Sequence, residues 1–291
     1  MSYQLKPHLQ WRNFELRVRT AGHKGDSMTP HSHDFYELVF VHEGSARHCL
    51  GENSYPVRAG DVFIIPPGVT HVYRNANMGI YNMLFSNNFL KNFQQDMSGF
   101  PNYQLLFNIS RELPLSHRLM SLDSAYFPEM TRLLDDIIQE QETGGHGSRS
   151  AVLSDFLRVV LLICRHSHPA GDPKNLHYAY RISNLMAVLN ERYAESWNLE
   201  QMAAFAKMSV SGFRQQFRNL TGKAPVEYLL GIRLKKASEM LCLGEKTISE
   251  IALLCGFEDS NYFSRQFKNT HGMSPRSYRN MIERRNFEKN I

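Results

Sequence analysis

The spacing Phe213-x3-Phe217-x4-Gly222-x2-Pro225-x2-Tyr228 recurs unchanged fifty residues later as Phe263-x3-Phe267-x4-Gly272-x2-Pro275-x2-Tyr278. A repeat at that period is one supersecondary unit used twice. A short apolar stretch with helical spacing precedes each copy, Leu199 to Ala206 in the first and Ile248 to Cys255 in the second. Short helix, tight turn and second helix together make a helix-turn-helix, so the spacing predicts two in tandem.

Local stop and start signals agree with that reading. Ile182, Leu185, Leu189 and Tyr193 fall on one helical face,. Asn198 with Gln201, and Thr247 with Glu250, have the spacing of capping boxes,. Ser209 and Asp259 stand where the second helix of each unit would be capped, and Gly222 and Gly272 where it would stop,. Pro225 opens a long connecting helix through Leu243, Gly256 supplies a sharp turn, and Ser274-Pro275 starts a last helix,. The C-terminal part is thus expected to be all-α, with seven helices.

The charge follows the same division. Residues 178–291 hold 17 Lys and Arg against 11 Asp and Glu, whereas residues 1–177 hold 16 against 17. A basic half joined to a neutral one is the footprint of a nucleic-acid-binding module on a partner domain. The paired Phe residues face inward, leaving Ser211, Arg214, Gln215 and Arg218 outward in the first unit. Ser260, Asn261, Ser264, Arg265 and Lys268 are outward in the second. Arg, Asn and Gln read base edges with two hydrogen bonds, and Lys and Ser suit phosphates. Two linked helices of this kind would enter major-groove segments about 34 Å apart on one face of double-stranded DNA.

Ile251-Ala252-x2-Cys255-Gly256-Phe257, Tyr262-Phe263-Ser264-Arg265-x-Phe267-Lys268, Gly272-x-Ser274-Pro275 and Tyr278-Arg279 closely resemble the AraC/XylS family of bacterial transcription regulators. The resemblance covers about 100 residues. It implies two recognition helices, with base-reading positions on Ser211, Arg214, Gln215, Ser260, Asn261 and Arg265. It also implies a homodimer, and RNA polymerase as the protein partner of an activator. Gly212 departs from the pattern, at roughly 1 kcal/mol of helix propensity, and predicts a less rigid first recognition helix.

The N-terminal half alternates short β-type runs with turns. Glu37 to Val41, Ala46 to Leu50, Val62 to Ile65, His71 to Arg74 and Tyr81 to Phe85 are punctuated by Gly44, Gly51, Gly60 and Gly68. Short, evenly spaced strands predict a small all-β barrel or jelly roll. Gly25-x5-His31-x-His33-x3-Glu37-x6-Gly44 and Gly60-x5-Pro66-x-Gly68-x2-His71-x3-Asn75 resemble the two signature motifs of the cupin fold. A period of two puts His31, His33 and Glu37 on one strand face, and His71, Tyr73 and Asn75 on one face of another. Three imidazoles and a carboxylate in a barrel suit a divalent first-row metal. They equally suit hydrogen bonding to hydroxyls, with Tyr36, Tyr73 or Tyr81 stacking on a ring.

Arabinose- and rhamnose-responsive members of the family bind sugar in this barrel. The resemblance therefore implies an effector site that includes His31, His33, Glu37, His71, Tyr73 and Asn82. An aromatic, His-rich, largely uncharged pocket favours a neutral polar ligand. Ser2 to Trp11, with Pro7 and Trp11, would form its lid.

Two apolar helical patterns follow: Phe127, Met130, Leu133, Leu134, Ile137 and Ile138, then Val152, Phe156, Val159, Val160 and Ile163, separated by Gly144-Gly145-His146-Gly147. They predict an αα-hairpin docked on the barrel and shared with a dimer partner. Residues 169–177 read as a flexible linker between an effector-binding domain (1–168) and a DNA-binding domain (178–291),. Cys49, Cys164, Cys242 and Cys255 show no CxxC pairing and read as buried free thiols,. The longest apolar run, Val159 to Cys164, is far too short to span a bilayer,. The whole predicts a cytoplasmic, sugar-responsive activator of a carbohydrate operon, not an enzyme. A metal-dependent cupin enzyme or a metal sensor fused to the same DNA-binding domain is the alternative.

Overall fold

The computed structural model describes residues 2–5, 14–86, 88–89, 93–108, 119–170 and 173–289. The chain divides into two compact units, Met1–Asn184 and Leu185–Ile291.

In the first unit, β1 (Ser2–Tyr3) pairs in parallel with β3 (Ser32–His33). The main sheet comprises β2 (Leu16–Gly25), β4 (Tyr36–Leu50), β5 (Asn53–Arg58), β6 (Asp61–Ile65), β7 (His71–Phe85), β8 (Met120–Leu122) and β9 (Ser167–Pro169). Its order is β2-β7-β4-β6-β8-β9, with β5 also on β4. The domain is β-rich, as expected, and its strand pairs are antiparallel throughout this sheet, with β2 and β9 at its two edges. One core cluster takes Val39 and Val41 from β4, Val57 from β5, Phe63 and Ile65 from β6, and Tyr73 and Ile80 from β7.

The strands differ from the expectation in length. Glu37 to Val41 and Ala46 to Leu50 are one 15-residue strand, and so are His71 to Arg74 and Tyr81 to Phe85. Gly44 accounts for the first case. It has φ +73° and lies so close to Asn77 that a Cβ would collide with that residue's carbonyl oxygen. The register shifts between Val41 and Glu43 and again between Ser45 and Arg47. Gly44 therefore belongs to a bulge inside a strand and not to a turn.

The αα-hairpin is present as α1 (Phe127–Thr143) and α2 (Ser148–His166). Met130, Leu133, Leu134 and Ile137 of α1, with Val152, Phe156, Val159 and Ile163 of α2, are buried. Leu153, Leu157 and Leu161 form a second, half-buried stripe on α2.

The expected linker is not a continuous loop. Pro169 ends β9, residues 171–172 lie outside the described residues, and helix α3 (Pro173–Glu191) begins at Pro173. Proline suits the first turn of a helix, where its missing N–H costs nothing. The two units divide within α3, between Asn184 and Leu185.

The second unit continues as α4 (Leu199–Phe205), α5 (Val210–Thr221), α6 (Pro225–Leu243), α7 (Ile248–Leu254), α8 (Ser260–His271) and α9 (Pro275–Lys289). With α3 these are the seven expected helices among the described residues. Both capping boxes form, and Ser209 and Asp259 cap α5 and α8. The sequence repeat is also a packing repeat. Phe213 meets Phe217 at 5.4 Å and Phe217 meets Tyr228 at 5.4 Å, edge to face. Phe263 meets Phe267 at 5.6 Å and Phe267 meets Tyr278 at 5.4 Å in the same manner.

Gly212 lies in the first turn of α5, where its N–H bonds the Ser209 cap at 3.3 Å. A Cβ there would press to 3.0 Å of that cap oxygen, so the glycine makes room for the cap. Of the cysteines, Cys164 and Cys255 are buried, but Cys49 is half-buried and Cys242 is exposed, unlike the expectation for all four. Among the described residues no helix is long and apolar enough to cross a membrane.

Candidate functional site

On α5, Ser211, Arg214, Gln215 and Arg218 are exposed, because Phe213 and Phe217 point into the core. On α8, Asn261, Arg265 and Lys268 are exposed, while Ser260 and Ser264 are half-buried. Each helix follows a seven-residue helix and a turn, α4 before α5 and α7 before α8. Gly256 makes the second turn with φ +78°, its backbone tight against Ala194.

In the first unit, a cavity of about 390 Å³ opens beside β3 and the start of β4. Of the expected effector residues, His31, His33, Glu37 and Asn82 line it. His71 sits directly behind Glu37, 1% exposed, with Nε2 3.8 Å from Glu37 Oε2. Tyr73 lies deeper, within the apolar core cluster, and does not line the cavity. Tyr81 is also committed elsewhere, donating its hydroxyl to Asp135 at 2.9 Å. Asn75 leaves the face altogether. Its φ is +48°, it is exposed, and its N–H bonds Asp26 Oδ1 at 2.7 Å.

His33, Glu37 and His71 bring ligand-type atoms within 4.8 Å of one another, and all three residues are buried. The expected four-residue set is three in the structure. His31 packs its ring on that of His71, at 4.3 Å between centroids, without joining the cluster. Each imidazole has its Nδ1 at a backbone carbonyl two residues away: His31 to Thr29 (3.1 Å), His33 to Phe35 (2.7 Å) and His71 to Val69 (3.4 Å). A carbonyl only accepts, so Nδ1 carries a proton and each Nε2 is turned the other way. His33 Nε2 lies 3.1 Å from Glu37 Oε2 but is not aligned for a hydrogen bond. With Nδ1–H groups held outward, the Nε2 atoms of His33 and His71 beside the Glu37 carboxylate form a donor set that fits a divalent cation,.

Electrostatics set the charge states. Burial raises the Glu37 carboxyl, but His33, His71 and Arg19 together outweigh it and hold it below its ordinary value. Burial pushes His71 down to about 4 and His48 down to about 3, against the pull of Glu37. His71 therefore rests neutral beside the Glu37 carboxylate.

Several residues of this site were not foreseen. Arg19 and His23 come from β2, and Tyr3 from β1. Arg19, Ala21 and His23 alternate along β2 and share one face. The alternation of Leu16, Val18 and their neighbours was the available signal, but basic residues and glycines masked it. Tyr3 meets His31 edge-on at 5.2 Å, which places the start of the expected lid against the cavity. Pro7 and Trp11 lie outside the described residues. His48 is fully buried, 5.6 Å from His71 and 4.8 Å from Tyr73 between ring centroids. A larger cavity of about 510 Å³ lies in the second unit, beside Trp197, Arg233 and Phe257. Arg233 there is already bonded to the Tyr193 and Glu195 carbonyls. The smaller cavity, with its convergent unpaired groups, is the better ligand site.

A ligand cavity in a β-rich domain and two helix-turn-helix units in one chain define a ligand-responsive, DNA-binding transcription regulator. Family models place an AraC-like ligand binding domain at residues 13–156 and a helix-turn-helix domain at 202–281. The HTH-type transcriptional activator RhaR of Pectobacterium atrosepticum is 32% identical over 250 residues, covering 86% of this chain and 85% of its own. The HTH-type transcriptional activator RhaS of Escherichia coli O139:H28 is 28% identical over 260 residues, covering 86% of each. The DNA-binding domain of AdpA, solved with a target DNA, is 32% identical over 36% of this chain and 95% of its own, with a TM-score of 0.35. The chain belongs to the AraC-type transcription regulators.

Proposed function

We propose that this regulator is a cytoplasmic, non-enzymatic activator of a carbohydrate uptake or catabolic operon, and that a sugar-class effector binds in the 390 Å³ cavity. The observation that carries this is the buried His33–Glu37–His71 cluster at the cavity wall, with lone pairs and a carboxylate suited to hydroxyl groups. Ser211, Arg214, Gln215 and Arg218 of α5, with Ser260, Asn261, Arg265 and Lys268 of α8, are the DNA contacts. The half-buried stripe Leu153, Leu157 and Leu161 on α2 supports a homodimer, and an activator of this class acts with RNA polymerase. Tyr3 at the cavity supports ordering of the N-terminal segment by the effector. The coupling is a population shift, driven only by differential affinity for the two arrangements of the dimer.

The donor set favours a second element: a divalent first-row metal on His33, Glu37 and His71. Such an ion would supply a Lewis-acidic anchor for vicinal oxygens of the effector. The metal-sensor reading makes the ion itself the effector.

Thermal-shift screening of the purified protein against sugars, with and without chelator, tests the reading, paired with operator binding. The expected result is stabilisation by a sugar-class compound that also changes operator affinity, and loss of the response in His33→Ala with DNA binding retained. A response that survives His33→Ala moves the effector elsewhere. Indifference to every sugar, with operator affinity following metal alone, selects the sensor.

A further inference from the structure

The cavity is not the uncharged pocket that the motifs imply. Arg19 lines it from β2 as an exposed side chain that makes no direct hydrogen bond or ion pair among the described residues, although its charge acts on Glu37 and His23. The register sets Arg19 directly opposite Asn82 of β7. Directly paired residues of antiparallel strands share a face and lie about 5 Å apart at Cβ. Asn82 is 4% exposed, and its buried Oδ1 has no partner. Further along the same sheet face, on β4, the setting is different, because Glu37 already has His33 and His71 within 4 Å. The cavity is therefore bipolar. One end holds an exposed guanidinium beside an unsatisfied amide, and the other a buried carboxylate beside His33 and His71.

A buried polar group without a partner is costly, and an occupant that answers it gains selectively. The planar fork of a guanidinium matches a carboxylate through two parallel bonds, which no sugar hydroxyl reproduces. A neutral sugar would satisfy the His33–Glu37 end and Asn82 but offer Arg19 nothing better than water. Resting on the proposed effector role of this cavity, we infer that its ligand is a polyhydroxy carboxylic acid of the uronate or aldonate class, with its carboxylate on Arg19 and its hydroxyls toward Asn82, His33 and Glu37. Asn82 stands between the two ends, where its amide meets a ring or chain hydroxyl.

Isothermal titration of the full chain with matched pairs tests this: D-galacturonate against D-galactose, D-glucuronate against D-glucose, D-gluconate against glucitol, and L-rhamnose and galactose 1-phosphate alone. The expected result is that a carboxylate binds at least tenfold tighter than its neutral partner. In Arg19→Gln that preference should collapse, and in Arg19→Lys it should fall to an intermediate value because the fork is lost but the charge kept. Arg19 is exposed and makes no direct hydrogen bond among the described residues, so a melting temperature close to that of the wild type should show that both variants fold. Equal or tighter binding of a neutral sugar overturns the inference while leaving the effector reading intact, as does a preference that survives Arg19→Gln. Tighter binding of the phosphate overturns the carboxylate assignment. No binding by any of these probes, together with no effect of His33→Ala on any response, removes the effector reading itself and this inference with it.

Discussion

Gln141 of α1 grips both sides of one residue of β2: its Oε1 accepts from Val18 N–H at 3.0 Å, and its Nε2 donates to the Leu16 carbonyl at 3.2 Å. β2 is the edge of the main sheet, and this side-chain amide answers backbone groups that a further strand would otherwise pair,. Gln141 itself is fully buried. The same strand carries Arg19 one residue on, so the hairpin and the cavity wall share a rigid link.

Replacing Gln141 by Leu keeps the volume but strands the two backbone groups. Each unsatisfied buried group costs about 1–3 kcal/mol, so the urea midpoint of the first unit should fall clearly. Operator binding by the second unit should persist. An unchanged midpoint would mean that water replaces the amide freely.

Gly256→Ala should selectively damage the second helix-turn-helix. Its φ of +78° disfavours any side chain, and a Cβ would stand 2.5 Å from the Ala194 carbonyl oxygen. The left-handed conformation alone costs about 1–2 kcal/mol, and the clash adds to it. Circular dichroism melts should show the loss in the helical unit. A wild-type melt would show that the turn relaxes at no cost.

The buried His48 makes the first unit acid-sensitive. Its pKa in the fold is about 3 against an ordinary 6.5. Between those values the unfolded chain takes up the proton and the folded chain does not, so stability rises with pH across the window. The contribution is complete above about pH 6.5 and is lost progressively as the pH falls toward 3. His48→Phe should flatten the dependence by up to about 1.4 kcal/mol per pH unit. Parallel curves for the two proteins in urea titrations from pH 4 to 8 would contradict a neutral buried His48.

Arg265 is exposed on α8 among Asn261 and Lys268. Arg265→Ala should cost roughly 1–3 kcal/mol of operator affinity and relax discrimination at one base pair. Lys268→Ala should instead weaken all sequences alike and reduce the salt dependence. Titrations against single-base operator variants separate the two, and an unchanged base preference in Arg265→Ala would remove Arg265 from the groove.

Zinc or nickel added to chelator-treated protein should raise the melting temperature, and Glu37→Gln should abolish the rise. His31→Ala should leave most of it, since His31 stands outside the cluster. If His31→Ala abolishes it as fully as Glu37→Gln, a four-residue set holds the ion.

Much of the second unit was legible because its signals are local. Asn198 caps through Gln201, Thr247 through Glu250, and Asp259 through Asn261 and Tyr262, all within three residues in the chain. The paired Phe residues obey the helical period, and their spacing carried over into space without change. The motif histidines were legible as types, but not which of them would converge.

The sequence by itself determined the tandem helix-turn-helix units, their outward-facing residues and the histidine-rich character of the cavity. These depend on caps, periodicity and short-range spacing, which a chain expresses wherever it folds. Only the tertiary structure decided that Gly44 bulges a strand, that His71 and not His31 joins His33 and Glu37, and that Arg19 faces Asn82. Each of these rests on the register between strands distant in sequence. Register is set by the whole packed sheet, because a slip of one residue would turn every side chain of the strand to the other face.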